Sequence, residues 1–286
     1  MSSVVLAFAS AFFFGLALFL TQLGLRHVPP LSGAAVSIPS STLMFLCIAP
    51  AALAGSTPDW RALPIFLAVG LLFPGAVTLL TFAANRALGP VITGTLGNLA
   101  PVFAVGIAAI LLHEPLQARQ IAGLLTIVAG IVMLSATRRE DGVRWRTWLV
   151  VLPLAAAALR GLAQPAVKLG LEIWPDPFAA ALASYIVSSL VVIAAATLRG
   201  QAPGQGTPRR FYLWFVVVGL CNGLAVLLMY AALARGPVSL VSPLVATYPL
   251  ITVAASAIIL RKTDRSPRLA FAVAPTVAGV ALLLAG

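Results

Sequence analysis

The chain has 286 residues, 61% of them hydrophobic and only 9% charged, with a mean hydropathy of +1.06 and a net charge of +11. A soluble domain needs far more polar surface than this. The excess positive charge also has no soluble face on which to meet a nucleic acid, so no nucleic-acid partner is expected.

The charged residues fall in short clusters between apolar runs of about 20 residues, the length that crosses a bilayer as a helix. An alternating barrel pattern is absent, and in lipid the backbone must satisfy itself, so the fold class is all-α integral membrane. Ten spans are predicted, at 3–25, 31–54, 62–86, 90–112, 118–136, 147–171, 177–198, 211–234, 238–260 and 268–285. The first holds Phe14 and Gly15. Its small-residue stretch Ala9-Ser10-Ala11 is not read as a cleavage site, because no basic residue leads it. The second carries Ser37, Ser41 and Cys47, and the third Pro74. Asn98 and Pro101 sit within the fourth. A basic linker loop, 138–146, follows the fifth. Arg160, Gln164, Pro165 and Lys168 lie in the sixth, and Ser184, Tyr185 and Ser188 in the seventh. A Gly/Pro-rich connection leads to the eighth, with Cys221, Asn222 and the small-residue pair Gly219 and Gly223. The ninth has Tyr248 and Pro249, the tenth Pro275. Connections this short leave no room for a soluble domain. Cys47 and Cys221 make no metal or disulfide pattern and read as small core residues.

Thirteen of the 18 basic side chains fall in the odd-numbered connections and four in the even ones, with Arg160 left inside a span. Taken alone, that bias puts both termini outside.

The chain repeats itself. "FGLALFLTQLGL" at 14–25 aligns with "RGLAQPAVKLGL" at 160–171, so Gly15 matches Gly161 and Gly24 matches Gly170 at an offset of 146. Pro30, Ser37 and Ser41 match Pro177, Ser184 and Ser188 at 147. "ALGPV" at 87–91 matches "ARGPV" at 234–238, and Pro101 meets Pro249 at 148. The anchors keep their order, which points to duplication. Residues 1–137 and 147–286 would each be a unit of five spans. Five is odd, so the second unit enters the membrane inverted, an architecture of secondary transporters whose cargo site lies near the midplane between the halves.

Several motifs carry a family resemblance: Phe14-Gly15 in place of a "WG" start, "ALGP" before the fourth span, Pro101 within it, "LHEPL" at its end, and a glycine-bearing fifth span. With these the chain resembles the EamA family of the drug/metabolite transporter superfamily, over nearly its whole length as two units. The resemblance implies a ten-helix transporter of a bacterial inner membrane that exports small metabolites, commonly amino acids, with both termini inside. Two departures stand out. Glu114 fits the glutamate usual after the fourth span, but Lys262 stands in the matching place of the second half. An arginine common at the start of the second span is missing from "VSIPSS" at 36–41.

An arginine at mid-span costs roughly 2.5–3.5 kcal/mol on insertion scales, so Arg160 is expected to face protein or water rather than lipid. Steps of four place Arg160, Gln164 and Lys168 on nearly one helix face, and Pro165 frees carbonyls beside them. The matching first-half residues are Phe14, Leu18 and Gln22. A cavity with one cationic and one aromatic wall follows, suited to an amino acid whose carboxylate meets Arg160. The plainer alternative has Arg160 bonded to backbone carbonyls and Lys168 snorkelling to the helix end. Asn98, Asn222, Tyr185 and Tyr248 either line the cavity or bond helix to helix. Pro101, Pro249 and Pro165 are candidate hinges or static kinks.

The seven acidic residues lie in connections or at span ends. Without a buried carboxylate to exchange protons, facilitated diffusion by alternating access is expected. An intramembrane enzyme would need acid, His or metal ligands at depth, and none is predicted; no metal or other cofactor is expected either. Sugar phosphates or nucleotide sugars, held by Arg160 with Lys168, are the second substrate class, and proton-coupled drug export a third. One chain is expected to suffice for function.

Overall fold

The computed structural model describes residues 1–136, 147–204, 209–259 and 267–284; the linker 138–146 and Lys262 lie outside them. Every regular element is helical: α1 Ser3–Gly24, α2 Pro30–Ala52, α3 Leu63–Gly70, α4 Val77–Gly97, α5 Ala100–Leu111, α6 Ala118–Ala136, α7 Val151–Ile173, α8 Pro177–Leu198, α9 Arg209–Leu233, α10 Val238–Val245, α11 Tyr248–Ile259 and α12 Pro267–Leu284. Among the described residues, eight stretches are long and apolar enough to cross a membrane. Shorter apolar segments, Ala118–Met133 and Ala274–Leu284, lie in α6 and α12. This is an all-α, multi-pass membrane fold.

Three expected spans are not straight rods. Between α3 and α4 the chain widens at Leu71–Ala76, where Phe73 leaves the helical region (φ −138°, ψ 129°). The cause is local, since the ring of Pro74 pushes the residue before it into extended conformation. The fourth span breaks at Asn98-Leu99 and the ninth at Ala246-Thr247, each just ahead of its proline. Pro101 and Pro249 are therefore not mid-helix kinks. Each stands in the first turn of a new helix, where a missing N–H costs nothing. In the other direction, α4 carries on through positions 88–91, where a turn was expected between the third and fourth spans. A proline's φ suits a helix and forfeits one hydrogen bond there.

The packing comes in matched contacts. α1 packs on α9 and α11, and α7 on α3, α4 and α5; α2 lies on α8, and α6 on α12. A β-carbon on Gly15 would stand 2.5 Å from Ile251 Cβ and 2.6 Å from Tyr248 O. On Gly161 it would stand 2.5 Å from Phe103 Cβ and 2.8 Å from Ala100 O. Ile251 and Tyr248 are 148 positions beyond Phe103 and Ala100, the offset that relates Pro249 to Pro101. Gly24 lies against Phe215 and Gly170 against Phe66; Gly70 abuts Ser184 O and Gly219 abuts Ser37 O. Ser41 Oγ donates to Gly219 O (2.7 Å) and Ser188 Oγ to Gly70 O (2.6 Å). Thr42 and Ser189 share a hydrogen bond of 2.7 Å. Small residues let helices approach closely where lipid gives no hydrophobic drive for association.

Candidate functional site

Between these helices lies a cavity of about 270 Å3. It reaches the exposed Pro30 and the half-buried Leu25 at the α1–α2 connection and runs inward to Gln164 and Ser242. Phe14 and Leu18 of α1 line it, as do Arg160 and Gln164, their matching residues on α7. The matched pair is apolar on α1 and polar on α7, and Ser37, Thr81 and Asn98 add neutral polar groups from the first half.

Arg160 is half-buried, with its guanidinium carbon 5.5 Å from the centre of the Phe73 ring. That ring is in place because Pro74 drives Phe73 out of the helix. A cation over an aromatic face is favoured by about 0.5–2 kcal/mol, which offsets part of the cost of the buried charge. Nε of Arg160, Oε1 of Gln164 and Oγ of Ser242 are buried and have no hydrogen-bond partner within the protein. Native interiors rarely leave such groups unpaired. All three border the same cavity.

The two helix breaks meet across the same space. Asn98, in the first break, accepts a long hydrogen bond (3.4 Å) from the hydroxyl of Tyr248, which follows the second. The Tyr248 ring lies 6.2 Å from that of Phe14, making an aromatic wall. Asn222 and Pro101 also line the cavity. Tyr185 reaches it, but with 2% exposure and its ring 5.4 Å from Phe45 it is chiefly a packing residue. Pro165 is buried within an unbroken α7, and neither it nor Pro249 faces the cavity.

The polar stripe divides. Lys168 does not line the cavity. Its Nζ donates to Glu114 Oε1 (3.1 Å) and to Gly236 O (2.8 Å). Glu114 in turn accepts from the N–H groups of Val238 (2.8 Å) and Ser239 (3.0 Å), the first residues of α10. Burial disfavours the Glu114 charge, but the two backbone donors and Lys168 more than offset this and hold its carboxyl below the usual range. Glu114, expected merely to end a span, is a half-buried ion-pair partner.

Sequence reasoning missed Ser242 and Phe73. Nothing around Ser242 distinguishes it from a packing serine, whereas Pro74 did carry a signal for its neighbour. Among the described residues no three metal-ligating side chains converge.

A polytopic helical fold around a largely apolar cavity that holds one arginine fits a membrane transporter. The EamA-like transporter family matches residues 1–136 and again 147–285, and the chain belongs to that family, whose members are transporters and not enzymes. A solved crystal structure shares the fold with a TM-score of 0.83 at 19% identity, covering 99% of this chain and 96% of that one. No curated protein matches the chain.

Proposed function

We propose that the chain is a ten-span exporter of amino acids, aromatic or other neutral ones, in a bacterial inner membrane, working by alternating access down the substrate gradient. Counting α6 and α12 as spans gives ten. Residues 1–137 and 147–286 then form two inverted five-helix repeats, a reading supported by the matched glycine and serine contacts and by the twofold family match. The narrower resemblance of the chain, to the bacterial amino-acid exporter YddG, points to the same substrate class.

One observation carries the substrate reading. Arg160 is the only formally charged residue among the described lining residues, and it shares the cavity with the unpartnered Gln164 and Ser242 and the aromatic wall of Phe14 and Tyr248. A guanidinium matches a carboxylate with two parallel N–H donors. Neutral oxygens nearby suit an ammonium group, and the aromatic wall suits an apolar side chain. Asn98 and Asn222 add donors and acceptors, and Tyr185 closes one side. The breaks ahead of Pro101 and Pro249 are the natural hinges, with Pro165 as a softer point in α7. One chain is proposed to suffice for transport.

The sugar-phosphate reading loses ground because Lys168 is committed to Glu114. A phosphate would have Arg160 alone. Proton-coupled drug export finds no support in a lining whose one formal charge is positive.

The test is uptake of radiolabelled solutes into proteoliposomes, zwitterionic amino acids against sugar phosphates, with and without a pH gradient. Arg160→Ala is expected to cut amino-acid flux by about 100-fold or more, in line with losing a buried charge-assisted pair, while the protein still purifies folded. Normal flux in that variant would reduce Arg160 to packing. Inversion is tested separately: cysteines placed at the exposed Arg86 and Arg235 should react with an impermeant reagent from opposite compartments.

A further inference from the structure

The cavity has one end that reaches a connection and one that does not, and the closed end is tied by charge. Glu114 follows α5 in the first half. Lys168 is near the end of α7, and Gly236, Val238 and Ser239 lead into α10 in the second. Four hydrogen bonds of 2.8–3.1 Å join them, with Glu114 and Lys168 side chains only 9% and 18% exposed. His113 is held at φ 53°, a backbone state costly for a residue with a β-carbon, as the chain turns to present Glu114. The tie sits just past the cavity. Lys168 is one turn beyond Gln164 on α7, and Ser239 three residues before Ser242 on α10. At the other end the residue matching Lys168 is Gln22, which is exposed and neutral. The same ion pair cannot form there.

We propose that Glu114 and Lys168 are a one-sided electrostatic gate: they lock the α5, α7 and α10 ends together while the cavity faces the α1–α2 connection, and they part when access alternates. This rests on the alternating-access reading given above. Because Gln22 is neutral, the pair has no equivalent among the described residues at the other end; the two facing states are then unequal, and the locked one is the resting state. Removing either charge should shift the population toward the opposite state, since breaking a buried pair leaves its partner uncompensated.

The experiment uses full-length protein with Cys47 and Cys221 replaced, and a reporter cysteine at Ser242 or at Thr21. An impermeant thiol reagent is applied to right-side-out and to inside-out membrane vesicles. Glu114→Gln and Lys168→Met should each raise reactivity of the Ser242 reporter from the gate side by about tenfold or more, and lower that of the Thr21 reporter from the other side. The double variant should match either single one, and Lys168→Arg should behave like the parent. Unchanged labelling in folded Glu114→Gln and Lys168→Met proteins would overturn the gate. So would the two ends opening together, which is plain loosening. Lys168→Gln serves if Lys168→Met does not fold. Labelling reads the gate whether or not amino acids are the cargo, so a failure in the flux assay leaves this result standing.

Discussion

The two ends of the cavity are made from matching stretches of chain yet are held in different ways. At the gate end, Asp176 caps α8 through the N–H groups of Phe178 and Ala179, both at 3.0 Å, and accepts from Ser56 Oγ at 2.9 Å. Glu114 caps α10 there and pairs with Lys168. At the other end α2 begins with Pro29-Pro30 and no side-chain cap. The contact there is a stack of His27 on Phe211, 4.3 Å between centroids, with the Arg210 guanidinium 4.9 Å from the same ring. A duplicated backbone can thus stay symmetric where helices cross on glycine, while a few side chains make its two mouths unequal. Crossing points tolerate almost no change. Mouths are free to diverge, and under the proposed gate that divergence would set which way the molecule prefers to face.

The crossings give the largest expected effect. Gly70→Leu and Gly219→Leu each push a side chain into the backbone of the facing helix, Ser184 and Ser37 respectively. Each should exceed the roughly 1–3 kcal/mol of ordinary overpacking and abolish folded yield, judged by size-exclusion after detergent extraction. Gly94→Ala and Gly106→Ala, with nothing within 4 Å, should be neutral or stabilise by up to about 1 kcal/mol. If one crossing glycine tolerated leucine and its counterpart did not, the symmetric half of the comparison would be broken.

Next come the matched positions 168 and 22. Lys168→Met should cost about 1–3 kcal/mol in thermal stability, discounted from a fully buried pair for partial exposure. Gln22→Met should stay within about 0.5 kcal/mol. Equal melting shifts would erase the difference between the mouths. A smaller loss, about 1 kcal/mol, is expected for Asp176→Ala, which removes a helix cap; a thermal melt reads it directly.

The smallest effect is on pH. The Glu114 carboxyl is held below its ordinary value of 4.5 in the folded protein. A depressed acid contributes stability that is fully present above that ordinary value and is lost as pH falls through the folded one. Reporter labelling at Ser242, taken as a ratio to a fully exposed control cysteine at the same pH so that loss of thiolate cancels, should therefore be flat from pH 8 to about 5 and rise from the gate side only in stronger acid. A transition near neutrality would show that some other group controls the gate.

Much of the site was legible before any coordinates. The spacing of Arg160 and Gln164 put them on one face, and the alignment with Phe14 and Leu18 named the opposite wall. The broken fourth and ninth spans were written in Pro101 and Pro249, although periodicity alone reads straight through them. Lys168 was not legible. Its four-residue spacing says that it shares a helix face with Gln164, but a face one turn longer than the cavity ends against another element. Only the path of the chain after α5 decides that Glu114 stands there. Phe73 was half legible: proline dictates the extended backbone before it, while the placement of its ring under Arg160 needs α7.

By itself, the sequence determined that the chain lives in a membrane and that it is helical, and its ordered anchors point to duplication. Those properties follow from apolar length, backbone satisfaction and ordered anchors, all of which are local or additive along the chain. The tertiary structure alone decided which polar groups remain free and which are spent. Hydrogen-bond partners come from residues tens or hundreds of positions away, and a charge lining a cavity differs from one tied shut only by what faces it.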